Sequence, residues 1–145
     1  MKKHVAGDEL LKNAKKIHMV GIGGSGMCPL AEILHSKGYS LTGSDVNESD
    51  PLKRIRALGI EVHMGHKAEN VHGADLVVYS AAISHDNPEL LEAERLSIPT
   101  MERSKLLGAI TRHFDHCIGV CGTHGKTTTT SAITQMFIMN GLDPT

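Results

Sequence analysis

The stretch GVCGTHGKTTTT, from Gly119 to Thr130, holds the ingredients for gripping a triphosphate. Glycines let backbone N–H groups turn toward phosphate oxygens. Lys126 supplies a cation for the β- and γ-phosphates, and Thr127 a hydroxyl for Mg²⁺. The strict G-x-x-x-x-G-K-[ST] pattern fails, because Val120 stands where its first glycine belongs. What stands here is the shorter G-T-x-G-K-T over Gly122, Thr123, His124, Gly125, Lys126 and Thr127, followed by Thr128. His124, inside the loop, is a second-rank candidate for a place near ATP. The plain alternative is a Thr-rich helix start with no ligand.

A second glycine-rich turn, Gly21-Ile22-Gly23-Gly24-Ser25-Gly26, satisfies G-x-G-x-x-G. Glycines there allow a tight turn and a close approach to a diphosphate at a helix N-terminus. Asp45 follows Gly26 by 19 residues, where an acid can bond ribose hydroxyls. Alone, this points to a dinucleotide or a nucleoside diphosphate. The plain alternatives are a ligand-free strand–helix turn and, for Gly43-Ser44-Asp45, ordinary turn chemistry.

Both loops need a strand behind and a helix ahead, and the chain offers them. Short apolar runs predict strands at 16–20 (KIHMV), 39–43, 61–65, 75–80, 98–101 and 117–120 (CIGV). Helical spacing or helix-start chemistry predicts helices at 26–37, 50–58, 87–96, 102–113 and 126–140, with Asp50 and Asn87 as caps ahead of Pro51 and Pro88. Residues 1–14 read as a polar tail or short helix. The β-α alternation predicts an α/β fold, a doubly wound parallel sheet with ligands at the carboxyl ends of its strands. Both glycine loops are expected at such ends. Pro29, Leu30, Leu34, Val77, Val78 and Ile118 are the expected core; Glu32 and Arg103 are expected on solvated helix faces.

Composition narrows the function. The 145 residues carry 15 Lys and Arg against 16 Asp and Glu, and only Tyr39, Tyr79, Phe114 and Phe137 are aromatic. No basic stripe with stacking rings is present, so a nucleic-acid partner is not expected. No apolar run approaches the ~20 residues of a membrane span, and charges interrupt the N-terminal stretch that would have to form a signal peptide. A cytoplasmic setting is the default. Three cysteines, Cys28, Cys117 and Cys121, argue against a disulfide framework. His113, His116, Cys117, Cys121 and His124 crowd together, and His63 and His66 form H-x-x-H, yet neither spacing fits a common zinc pattern. Surface histidines and small buried thiols are the expectation.

In this order, about a hundred residues apart, the two loops resemble those of the Mur ligases of peptidoglycan synthesis. GIGGSGM (21–27), GSD (43–45), YSAAI (79–83), NPE (87–89) and GTHGKTTT (122–129) carry the likeness, which spans residue 16 to the end. The His of GTHGKT and the YSAAI piece are more similar to the L-alanine-adding branch than to the D-glutamate- or diaminopimelate-adding ones. A murein-tripeptide ligase is the nearest confusable relative, and GGSGM is expected to set the two apart.

The resemblance implies three domains that bind a UDP-sugar, ATP and an amino acid in turn. It implies that ATP phosphorylates the lactyl carboxylate of UDP-N-acetylmuramate and that the L-alanine amine attacks the acyl phosphate. By the same resemblance, Gly21, Gly23, Gly24, Ser25, Gly26 and Met27 form the diphosphate turn. Asp45 lies near the ribose or uracil, and Ser80, Ala81 and Ala82 beside the same ligand. Gly122, Thr123, His124, Gly125, Lys126, Thr127 and Thr128 hold ATP and, through Thr127, Mg²⁺, with Lys126 as the catalytic cation. The implied organisation is a tail or short helix over 1–14, a Rossmann-like UDP-substrate domain over 15–115, and the start of a truncated P-loop ATP domain over 116–145. Such a fragment is expected to bind substrate without catalysing. Two other readings stay open: an NAD(P)-binding domain, which the second loop argues against, and a non-catalytic nucleotide-binding module.

Overall fold

The computed structural model describes residues 6–144. These fall into two compact units divided between His113 and Phe114. In the first unit five strands pair in parallel: β1 Lys16–Val20, β2 Ser40–Asp45, β3 Glu61–Met64, β4 Leu76–Tyr79 and β5 Thr100–Glu102. Their order is β3-β2-β1-β4-β5. The order reverses between β1 and β4, and in such sheets a crevice opens at that switch, outside the strands' carboxyl ends.

The helices are α1 Ala6–Asn13, α2 Cys28–Ser36, α3 Asp50–Ala57, α4 Pro88–Arg95 and α5 Arg103–Thr111 in the first unit, and α6 Lys126–Met139 in the second. Asn87 caps α4 as expected, its side chain accepting the Glu89 amide. At α3 the cap is Ser49, and Asp50 is already helical. A short 3₁₀ turn, Ala68–Val71, links β3 to β4. The expected tail over 1–14 is helical from Ala6 to Asn13, and its first five residues lie outside the described residues.

Strand alternation divides the core in two. Ile17 and Met19 of β1, with Leu76 and Val78 of β4, face one layer packed by α2, α3 and α5. Val20 and Val77 face the other, where Val71, Leu90 and Ala93 meet them. Helices thus cover both faces, as a parallel sheet requires. Gly43 is a necessity of close packing, since a Cβ there would sit 2.7 Å from Ile22 side-chain atoms.

The second unit departs from expectation. Residues 117–120 form no strand, and Ile118 is exposed. A parallel strand exists only through its ladder partners, and among the described residues none pairs with this run. Pro29, expected in the core, is exposed, while Leu30, Leu34, Val77 and Val78 are buried.

Candidate functional site

The first glycine loop leaves the carboxyl end of β1. The Gly21 and Ile22 amides donate to the Ser44 carbonyl at 2.8 and 3.0 Å, tying the loop to β2. Gly21 has φ +74°, and the side chain of Ile22 is buried beneath. Gly24 N–H bonds back to Gly21, and the Met27 and Cys28 amides bond to the Gly24 carbonyl, winding the loop into α2. Among the described residues, the Ser25 and Gly26 amides have no protein acceptor. They stand at the N-terminal end of α2, where an anion is favoured. Met27 reaches the site only through its backbone, because its side chain is core.

Asp45 ends β2 and holds the loop from the side. One carboxylate oxygen accepts the Gly23 amide at 3.0 Å and the other the Asn47 amide at 3.0 Å. Lone pairs remain on both oxygens for a further donor. Ser80, Ala81 and Ala82 form the turn after β4, with the Ile83 amide closing on Ser80 at 3.0 Å. This turn abuts the glycine loop, since a Cβ on Gly21 would lie 3.5 Å from Ile83 Cδ1. The two loops flanking the topological switch are therefore neighbours.

Arg103 joins them. Read from sequence as a solvated residue, it is half-buried, and its Nη1 lies 2.8 Å from where a Gly26 Cβ would be. Among the described residues no acid pairs with it and no acceptor bonds it. A guanidinium without a partner beside free helix-end amides is suited to an oxyanion. Glu32 is half-buried and pairs with Arg54.

Beneath the loops lies a buried polar layer that sequence reading missed. On the α4 face of the sheet, His18, Thr42, Ser44 and His63 occupy alternate strand positions; Glu89 of α4 meets Ser44 and His18, and His18 in turn meets Thr42 and His63. Glu89 is fully buried. Its carboxylate accepts Ser44 Oγ at 2.7 Å, Asn70 Nδ2 at 2.6 Å and His66 Nδ1 at 3.0 Å. His18 Nε2 lies 3.4 Å away without hydrogen-bond geometry, while its Nδ1 meets Thr42 Oγ1 at 2.9 Å. Burial pushes the Glu89 carboxyl up. The contacts with His18, Ser44 and Asn70 outweigh it, and the net displacement is downward. The signal available in sequence was the polar residue at every second position, unusual for a parallel sheet covered on both faces.

The second glycine loop is open. Gly122, Thr123, His124, Gly125, Lys126, Thr127 and Thr128 are all exposed. Gly122 and Gly125 take φ +155° and +77°, conformations that favour glycine. Lys126 Nζ donates to the Gly122 carbonyl at 2.8 Å, arching over the loop. α6 begins at Lys126 and buries no residue, so Phe137, Ile138 and Met139 pack into no core. The expected strand ahead of this loop is missing, so the loop does not stand at a strand end.

Among the described residues no group of three His, Cys, Asp or Glu could hold a metal ion. His66 is largely covered by the polar layer, whereas His63 is 34% exposed, at its rim, and stacks on His18 with ring centroids 6.4 Å apart. Cys117 and Cys121 are exposed, against the expectation of buried thiols, and Cys28 alone is buried. Burial and the neighbouring Glu32 push the Cys28 thiol up, away from reactivity. No helix among the described residues is long and apolar enough to cross a membrane.

The five-stranded order, the glycine loop at the switch and the helix-end amides define a Rossmann-like α/β domain. Residues 16–115 match the Mur ligase family, catalytic domain, and the chain belongs to that family. It is 51% identical over 130 residues to the UDP-N-acetylmuramate–L-alanine ligase of Legionella pneumophila (strain Corby), covering 90% of this chain and 28% of that one. Among solved structures it resembles the UDP-N-acetylmuramate-alanine ligase MurC of Thermotoga maritima. There the TM-score is 0.80 and the identity 35%, over 85% of this chain and 29% of the other. It also resembles the UDP-N-acetylmuramate:L-alanyl-γ-D-glutamyl-meso-diaminopimelate ligase of a Neisseria species. Here the TM-score is 0.81 and the identity 32%, over 88% of this chain and 40% of the other. The chain thus spans under a third of the curated relative it matches.

Proposed function

We propose that this chain is the N-terminal part of an ATP-dependent ligase that joins L-alanine to the lactyl carboxylate of UDP-N-acetylmuramate through an acyl phosphate. The observation that carries the reading is the glycine loop at the switch between β1 and β4. Its Ser25 and Gly26 amides are free, with Arg103 beside them. The diphosphate of the UDP-sugar would take these donors, and Asp45 would face the ribose or uracil. Ser80, Ala81 and Ala82 would flank the same ligand. The UDP-substrate domain is assigned to residues 15–115, and the start of an ATP domain to 116–145.

The second loop fits a triphosphate: exposed glycines in left-handed backbone and a lysine arched across them. Lys126 would neutralise the γ-phosphate as it transfers, and Thr127 would offer its hydroxyl to Mg²⁺. The metal's part is to offset charge on the phosphates. Phosphorylation turns a poor leaving oxide into a good one, so the protein's task is positioning and charge. Among the described residues no strand stands behind this loop, so residues 1–145 on their own are expected to bind substrate without turnover.

A murein-tripeptide ligase is the second reading, favoured by the likeness to the tripeptide-adding enzyme. The higher identity to the alanine-adding relative weighs for the first.

Calorimetric titration of the purified chain tests the proposal. UDP-N-acetylmuramate should bind saturably and NADH should not. Gly26→Asp should abolish binding while the fold persists, because its Cβ displaces only the flexible Arg103 tip. Arg103→Ala should weaken binding on the order of tenfold, the worth of one charge-assisted hydrogen bond. NADH binding without a UDP-sugar response would overturn the reading, as would sustained L-alanine-dependent ADP release for the claim of inactivity.

A further inference from the structure

We infer that Glu89 is a positioning residue that clamps the loops of the proposed UDP-sugar site into one arrangement. The inference rests on the reading of that site given above. Each loop reaches this carboxylate by a short path. Ser44 donates to Glu89 at 2.7 Å, and its carbonyl takes the Gly21 and Ile22 amides of the glycine loop. Asn70 donates to Glu89 at 2.6 Å and to the Gly65 carbonyl at 3.2 Å, and Gly65 N–H in turn bonds the Asp45 carbonyl at 2.8 Å. Asp45 holds the Gly23 amide. Glu89 itself begins the helix that follows the turn after β4, and the Asn87 cap fixes its backbone. The loops after β1, β2, β3 and β4 thus converge on one carboxylate.

A carboxylate suits the sense of the bonds. Asn70 donates, and Ser44 donates its hydroxyl proton. His66 then donates from Nδ1 to the oxygens of both Ser44 and Glu89. Asn70 Nδ2 can only donate, and an ionised carboxylate accepts from it, from Ser44 and from His66 at once. Stability alone does not ask for it. A buried charge can often be replaced by packed apolar groups without loss. Elsewhere this face is closed by aliphatics: Val20, Val77, Leu90 and Ala93. The charge stands under the strands' carboxyl ends, where the loops need fixed positions.

The test compares the wild-type chain with Glu89→Gln, Asn70→Ala and, as a control, Leu11→Ala. Leu11 is buried in the other core layer, on the helix preceding β1. Amide hydrogen exchange is read residue by residue by NMR. In Glu89→Gln the Gly21, Ile22 and Gly65 amides should exchange faster, on the order of tenfold, relative to strand amides such as Met19 and Val78, because a buried donor loses its acceptor. Asn70→Ala should release Gly65 alone. Leu11→Ala should shift loops and strands together.

In parallel titrations with UDP-N-acetylmuramate, Glu89→Gln should bind about tenfold more weakly, and Leu11→Ala within about twofold of wild type below its unfolding transition. Loop amides that keep pace with the strands in Glu89→Gln would overturn the inference. If that variant does not fold, Asn70→Ala decides: an unchanged Gly65 overturns it. A wild-type chain silent to the ligand would sink the functional reading only, and the exchange arm would still judge Glu89.

Discussion

The two glycine-rich loops share a chemistry and differ in everything that supports it. The first is braced on three sides: Ser44 takes its opening amides, Asp45 takes Gly23, and Ile22 is buried under it. The second has no strand behind it, and every residue from Cys121 to Thr130 is exposed. Its hydrogen bonds are local, from Lys126 to Gly122 and from Thr129 to Gly125. A motif supplies donors and charge, but only a paired sheet fixes where they point. A loop written in sequence becomes a rigid site when its strand has partners.

The largest expected difference is in backbone protection. Amides of β1, β2 and β4 should exchange on the order of a thousandfold or more slowly than those of residues 117–121, since the former open only with the whole unit. Hydrogen exchange by mass spectrometry reads this directly. Comparable protection in 117–121 would break the comparison, because it would mean that this run has found a ladder partner.

Next come two glycines, one from each region. Gly43→Ala places a methyl 2.7 to 2.8 Å from Ile22 side-chain carbons, whereas Gly119→Ala meets nothing within 4 Å. The first should cost about 1–3 kcal/mol by overpacking, and the second should stay within about 0.5 kcal/mol of wild type. Urea denaturation midpoints settle both. A neutral Gly43→Ala would mean that the first loop yields more readily than its bonds suggest.

What could be read from sequence follows the same division. Apolar runs and helix-start chemistry located the five strands and α2 to α6 within a few residues; the central runs, β1, β2 and β4, are short and mostly buried. The 117–120 run was read as a strand by the same rule, and it failed because pairing is a property of neighbours, not of the run. The polar layer was legible only in retrospect. His18, Thr42, Ser44 and His63 are polar positions on one face of their strands, but nothing local says that Ser44 and His18 meet a glutamate from α4. Arg103 was read as solvated for a similar reason: only the fold brings α5 to Gly26.

The smallest effect concerns acid, and it again separates the regions. Among the described residues Asp75, Glu89 and Glu92 sit below their ordinary values, and all belong to the first unit. Asp75 is held down by the Lys16 and Lys15 amides. Glu92 is held at about 2, chiefly by the Arg95 hydrogen bond and then by His72. Glu89 is lowered by its buried donors against the cost of burial. A depressed native value means stability that is present above the unfolded value, about 4.3 for a glutamate, and lost as pH falls through the native one. Asp75 and Glu92 face water, so screening leaves them little weight. Glu89, sealed from solvent, should carry most of the slope. Thermal midpoints of the wild-type chain should therefore fall as pH drops below about 4.3, and Glu89→Gln should start lower and fall less steeply. An equal slope in both would move the acid sensitivity away from the polar layer, and with it the claim that the first loop is held by a charge the second one lacks.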